Sequence, residues 1–355
     1  MVYVLIILFS LFVGYILKRN RTISLFVIGA LVYIFTNISP DIPDYGNYLQ
    51  YYYGGEYYRN LLQKGYENVS IFFLNHGYSF EAFRLFLALL TFLIIWFAIQ
   101  MWTKNVAWVL AVYLVAYFPM DVIQIRNFVM LGFATLGITI LSKNGYLKYV
   151  LSAILIYIGA QFHTTGLIYL PIAAVTLLPD NIENRIRKYT VPGAVIGTVL
   201  FLLGSRTKLL GSLAGLIGRL AGNETEMTNK ITSRYATGTS MSMIVVVVAV
   251  NLIVWLAVNK IVQYEAENES ESMRAIEKVV KNITSYELLL SPLMVIAPDY
   301  SRVFRNFDLI IITFFIMILS HNDTMHGSKK VAVLSLMIMS LAGLAVWVRN
   351  FGVLF

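Results

Sequence analysis

The sequence predicts an all-α protein that crosses a membrane many times, and three observations carry that prediction. Of 355 residues, 58% are hydrophobic and only 13% charged, whereas about a quarter of a soluble globular domain is charged. The mean hydropathy is +0.72. A helix crossing about 30 Å of hydrocarbon needs roughly 20 apolar residues, so the chain has room for about ten to thirteen crossings with modest loops. Lys and Arg also fall in alternate connections, as the cytoplasmic excess of positive charge requires. A single membrane domain over residues 1–355 follows, with no room for a separate soluble domain.

Residues 2–17 are read as the first span, since no basic segment precedes them and no small-residue cleavage site follows. Lys18, Arg19 and Arg21 come directly after, which puts the N-terminus outside. Further spans are expected at 22–38, 81–102, 106–120, 122–142, 147–161 and 164–178. The last five fall at 191–205, 241–261, 286–298, 303–320 and 331–348, making twelve. The inside loops then carry Lys104, Lys143 and Lys148, Arg185, Arg187 and Lys188, and Lys329 and Lys330. The segments 39–80 and 206–240 become outer loops, partly helical, and 262–285 a cytoplasmic one, read as a solvated amphipathic connector. In the second outer loop Gly211, Gly215, Gly218 and Gly222 recur at helical spacing, which suits close packing on or in the outer leaflet.

Composition excludes several chemistries. Cys is absent, which removes disulfides, thiol nucleophiles and Cys-ligated metals. The net charge of +8 belongs to inside loops rather than to nucleic-acid binding. The stretch HNDTMH at 321–326 falls in a short cytoplasmic loop and is not read as a metal site; no metal and no cofactor are expected.

Ionisable residues at membrane depth are costly and are treated first as functional candidates. On this topology Asp44, Asp121, Arg126, His163, Asp299, Arg302 and Arg305 share the outer end, although they are scattered along the chain. A transporter would place such residues nearer the midplane. Pro119 with Asp121, and Pro298 with Asp299 and Ser301, are helix-start signals, with Asp or Ser as the cap. Arg126, Arg302 and Arg305 would lie within two turns of those helix starts, the last two at i, i+3 on one face. Helix N-termini and guanidinium forks make an anion site suited to phosphate oxygens, unless these arginines simply pair with Asp121 and Asp299 or reach to lipid headgroups. His163 can exchange a proton near neutral pH, or simply cap its neighbours, with Thr164 or Thr165 as the next N-cap. The run SPDIPDYGNYLQYYYGGEYY offers Tyr45, Asn47, Tyr48 and Tyr51 as a sugar-facing surface, although Tyr is also common at membrane interfaces.

Four stretches resemble one family. SPDIPDYGNYLQYY after the second span, QIRNFVMLGFA at 124–134, GAQFHTTGLIYLP at 159–171 and SRVFRNF at 301–307 are similar to the EpsG-like branch of Wzy-type polysaccharide polymerases. The resemblance implies a GT-C-like glycosyltransferase of the bacterial plasma membrane, working on its outer face without nucleotide sugars. Its substrates would be undecaprenyl-pyrophosphate-linked oligosaccharides, as donor and acceptor, with chain-length regulators and flippases as partner proteins. On that reading Arg126, Arg302 and Arg305 bind the pyrophosphate. His163 or Asp44 is the base, His163 being preferred for its ordinary pKa. Arg206, Lys208, Arg219 and Arg234 are contacts for lipid phosphate or glycan, unless they are merely solvated. The rivals are a ligase of the O-antigen type and a carrier for lipid-linked oligosaccharides. A carrier should bury ionisable groups mid-span; Thr91 and Thr313 lie there, but no carboxylate or arginine pair is expected to.

Overall fold

The computed structural model describes residues 2–37, 42–55, 63–203, 239–266, 270–295, 300–321 and 324–351, without the side chains of Val2, Leu203 and 346–351. Sixteen α-helices and two 3-10 segments make up this part, and no strand occurs among the described residues. The helices are α1 Val2–Ile16, α2 Arg21–Thr36, α3 Tyr45–Tyr53, α4 Lys64–Asn75, α5 Phe80–Gln100, α6 Val106–Ala116, α7 Phe118–Ile123 and α8 Ile125–Ile140. They continue as α9 Leu147–Ala160, α10 Leu170–Leu177, α11 Asp180–Lys188, α12 Thr190–Leu203, α13 Met241–Glu265, α14 Glu271–Leu290, α15 Ser301–Ser320 and α16 His326–Phe351. The 3-10 segments are Thr164–Tyr169 and Ser291–Val295.

Four helices are long and apolar enough to cross a bilayer: Phe80–Gln100, Met241–Glu265, Ser301–Ser320 and His326–Ala345. Shorter apolar helices cover Tyr3–Ile16, Arg21–Thr36, Val106–Ala116, Ile125–Ile140, Leu147–Ala160, Thr164–Leu177 and Thr190–Leu202. Their positions coincide with eleven of the expected spans. The exception is 286–298, and with it the connector 262–285.

There the reading is corrected. Helix α13 runs on to Glu265, and α14 is one continuous helix over Glu271–Leu290. The start of α14, at Ser270–Met273, lies beside Met317 and His321 at the end of α15. The residues after it, Met294 and Val295, pack with Phe304 near the start of α15. α14 therefore makes the return passage along the whole bundle. Its charge misled the sequence reading: Glu277, Asn282, Thr284, Ser285 and Glu287 are buried in helix contacts rather than solvated.

At the centre stands α15, where every residue from Val303 to Ile318 is buried. A helix apolar around its circumference is covered on all sides, and α15 packs against α6, α8, α14 and α16. At the basic end Asn20 donates to Asn105 at 2.7 Å, and Asn105 donates to the Gly14 carbonyl at 2.8 Å and to Ser320 at 3.2 Å. These buried amides tie α1, α2, α6 and α15 together where lipid offers no competing partner.

α6 stops at Ala116 because Pro119 follows; Tyr117 takes φ −132 and ψ −30, and the short α7 begins. Pro supplies no N–H to continue a helix. The segment between α2 and α5 contains α3 and α4. α4 is strapped to the turn after α9 by Gly65 and Tyr66 N–H bonds to the Gln161 carbonyl, at 3.0 and 3.3 Å. Only glycine fits there, since a Cβ on residue 65 would stand 2.7 Å from the Gln161 Cβ.

Candidate active site

Residues from five elements meet at the end of the bundle that carries α3. Arg126, in the first turn of α8, is half-buried, and its guanidinium lies 5.7 Å from the ring centroids of Tyr48 and Tyr51 and 6.0 Å from that of Tyr66. One guanidinium nitrogen donates to the Gln63 Oε1 at 3.0 Å, while Nε finds no partner among the described residues. A cation held between aromatic rings retains its charge and keeps donors for an incoming anion. Burial raises the Tyr48 hydroxyl pKa, with Arg126 opposing that shift, and Asp44 and Arg302 also act on this hydroxyl.

Arg302, in the first turn of α15, acts together with Arg126 on His163. His163 caps the 3-10 segment itself, its Nδ1 accepting from the Thr165 N–H at 3.4 Å and lying 2.7 Å from Thr165 Oγ1. This corrects the expectation of Thr164 or Thr165 as the cap. Burial first, and then the two cations, push the imidazole well below the usual histidine range. The ring is therefore neutral at pH 7, and a Nδ1 that accepts from the Thr165 N–H leaves the proton on Nε2 as a donor.

Asp44 is exposed at the N-cap of α3 with φ +66, the one non-glycine residue with positive φ among those described. Its side chain accepts from Asn47 at 3.2 Å instead of capping the helix. Tyr45 donates to Glu81 at 3.3 Å.

Other expectations are redistributed. Asp121 is fully buried within α7 and is not a cap. It accepts from Tyr113 at 2.6 Å and pairs with Arg305 at 3.0 Å. Arg305 also donates to Gln124 at 2.9 Å. The i, i+3 pair is thus divided: Arg302 acts electrostatically on His163 and Tyr48, and Arg305 pairs with a buried carboxylate. Ser301 is the first helical residue of α15 rather than its cap. Asp299, Pro298, Arg206, Lys208, Arg219, Arg234 and the glycine stripe lie outside the described residues. Carboxylates do occur inside the bundle, contrary to expectation: Glu287 and Asp308 are buried on α14 and α15, with the Tyr117 hydroxyl on Asp308. The sequence hid them because each lies toward the end of an expected span.

Sequence reasoning also missed Arg84. It is buried on α5, donates to the Phe35 carbonyl at 2.8 Å and lies 4.9 Å from the Tyr45 ring, fastening α3 to the bundle. A single arginine inside an apolar run was the available signal. Tyr66 and Gln63 carried none, because only the strap to Gln161 brings α4 over Arg126.

A helical bundle with several bilayer-length apolar helices, here with a tyrosine-arginine centre at one end, is that of a multi-pass membrane protein. The family model for the EpsG family matches residues 22–354. The chain belongs to the EpsG family, which is a family of Wzy-like polysaccharide polymerases. No curated protein and no solved structure matches it.

Proposed function

We propose that this polymerase transfers a growing glycan from undecaprenyl pyrophosphate onto the next lipid-linked repeat unit, at the outer face of a bacterial plasma membrane. The observation that carries the reading is the guanidinium of Arg126 inside the ring of Tyr48, Tyr51 and Tyr66, with Arg302 and His163 beside it. A pyrophosphate leaving group needs fixed positive charge and donors where its own charge develops. Arg126 and Arg302 supply the charge without a metal ion, and His163, neutral with its Nε2 proton, supplies a further donor.

An acceptor hydroxyl on the non-reducing sugar attacks the anomeric carbon of the donor. The new C–O bond forms as the bond to pyrophosphate breaks, and the electron pair leaves on the pyrophosphate oxygen. The acceptor proton passes to a base. Asp44 suits this role: it is exposed beside the tyrosine surface, and its backbone is held in a costly conformation, as functional residues often are. His163, whose basicity is lowered by burial and two cations, is the weaker base. Tyr45, Asn47, Tyr48 and Tyr51 provide faces and polar groups for the sugars. Arg305 acts through Asp121 and Gln124, holding α7 and the start of α8 against α15. The GT-C-like architecture is part of the same proposal.

Substituting Arg126 tests the reading. Arg126→Lys keeps the charge but loses the planar fork and the stacking, so lipid-linked repeat units should accumulate unpolymerised while the folded protein stays abundant. Normal polymer length and yield from this variant would remove Arg126 from the site.

A further inference from the structure

Three buried carboxylates stand around one arginine where α7, α14 and α15 come together. Asp121, Glu287 and Asp308 are 0%, 1% and 8% exposed. Arg305 is already engaged, pairing with Asp121 at 3.0 Å and donating to Gln124 at 2.9 Å. A carboxylate held inside a helix bundle is costly unless a cation or several donors meet it, and otherwise it takes up a proton. Glu287 and Asp308 sit on the packed helices α14 and α15, and Asp308 acts electrostatically on Glu287. Two negative charges there would add repulsion to desolvation.

The two acids are provided for differently. Asp308 accepts from the Tyr117 hydroxyl and feels Arg305 from beside Asp121. It also lines a cleft of about 580 Å³ between α13, α15 and α16. Asn251 Nδ2 and Arg305 Nε belong to residues of the same cleft and have no protein partner among the described residues. The cleft therefore has room for water and polar groups to hold it, and Ser301 carries it up to the start of α15. Glu287 does not line the cleft, and its Oε1 has no hydrogen-bond partner among the described residues. The other titratable groups near it are hydroxyls: Tyr117, Tyr169 and the adjacent Tyr286. α10 and α12 carry no titratable residue, α8 has only Arg126 in its first turn, and those of α11 and α13 lie at the basic end.

We propose that Glu287 holds a proton through neutral pH and shares it with an ionised Asp308, and that the pair is a pH-sensitive clasp between α14 and α15. On release, the proton passes by way of Asp308 to water in the cleft. What the clasp governs follows from the two helices. α14 holds the 3-10 segment of His163 through the Tyr286 hydroxyl, which donates to the Ile168 carbonyl at 2.9 Å. α15 carries Arg302, and Tyr169 of the same 3-10 segment donates to the Val303 carbonyl at 3.0 Å. Loss of the proton sets two like charges against each other between the helices that position His163 and Arg302, so alkaline conditions loosen that wall and slow polymerisation. The link to polymerisation rests on the site proposed above; the proton itself does not.

Infrared spectra, thermal melts and polymer synthesis of the purified protein from about pH 6 to 10 test the inference, with Glu287→Gln and Asp308→Asn as variants. Glutamine keeps the shape of the uncharged acid and a donor toward Asp308, so Glu287→Gln should melt and polymerise as the wild type does at neutral pH. The wild type should show the carbonyl band of a protonated carboxylic acid at neutral pH, kept in Asp308→Asn and absent from Glu287→Gln. Once that band titrates, wild-type synthesis should fall about tenfold per pH unit, and Glu287→Gln should flatten this alkaline limb. Loss of a carboxylate band in Glu287→Gln, in place of the acid band, means that Glu287 is ionised and overturns the inference. An alkaline limb and melting profile shared by wild type and Glu287→Gln overturn it equally. Titration of the acid band with a falling melting temperature but unchanged synthesis supports the clasp and refutes instead the placement of His163 and Arg302 in the site.

Discussion

Removing Arg305 separates a structural ion pair from a substrate contact. Arg305 and Asp121 lie 3.0 Å apart, with side chains 7% and 0% exposed. At an effective dielectric of about 20, two unit charges at that distance attract by about 5.5 kcal/mol. Desolvation offsets much of this when both are present, but removal of one partner leaves the other charge buried, at a cost of about 3–5 kcal/mol. Tyr113 and Gln124 cannot neutralise Asp121. Arg305→Met should therefore strongly lower the unfolding temperature in detergent, and Asp121→Asn combined with Arg305→Met should recover most of the loss, because no unpaired charge remains. Polymer synthesis, measured on the same preparations by glycan ladder, should follow stability and return with the double variant. A double variant as stable as the wild type but without polymer would show that Arg305 contacts substrate itself and would refute its assignment as a positioning residue.

Three further outcomes are expected. The folded pKa of His163 lies well below the ordinary 6.5, so folding excludes a proton: the stability tied to this group is full above about pH 6.5 and is lost as pH falls below it. His163→Gln, which keeps a side-chain N–H, should flatten that part of the stability profile and retain more polymer synthesis than His163→Ala; a profile identical to wild type would contradict the burial of a neutral ring. At the basic end Lys278 of α14 bonds Asp180 at 2.8 Å, lies 3.3 Å from the buried Glu183 and donates to the Leu178 carbonyl at 3.1 Å. Lys278→Met should cost about 1 kcal/mol, since the pair is partly exposed, and thermal melts showing no loss would dismiss the latch between α11 and α14. For orientation, Gly46→Cys, where a new side chain meets open space, should react with an impermeant thiol reagent on intact cells and Ser272→Cys only after permeabilisation. The opposite pattern would place the proposed site on the cytoplasmic face.

Much of the architecture is legible along the chain because a bilayer imposes a one-dimensional rule: apolar runs of sufficient length must be helices, since no other backbone satisfies its own hydrogen bonds in lipid. That rule locates eleven apolar helices from α1 to α16, and the order of DYGNY, QIRN, FHTTG and SRVFRN reveals the family. It fails at α14, whose polar residues meet other helices instead of water, so hydropathy reads a buried helix as a loop. Residue type also announces the arginines and His163 as candidates. It cannot divide Arg302 from Arg305: three residues apart, they share a helix face by spacing, and only the position of Asp121 on a different helix turns one guanidinium into a buried ion pair. The same holds for Tyr66, which reaches Arg126 because Gly65 lets α4 press against Gln161. Contacts between distant segments depend on how helices are set against one another, and that arrangement is a property of the packed bundle rather than of any stretch of sequence.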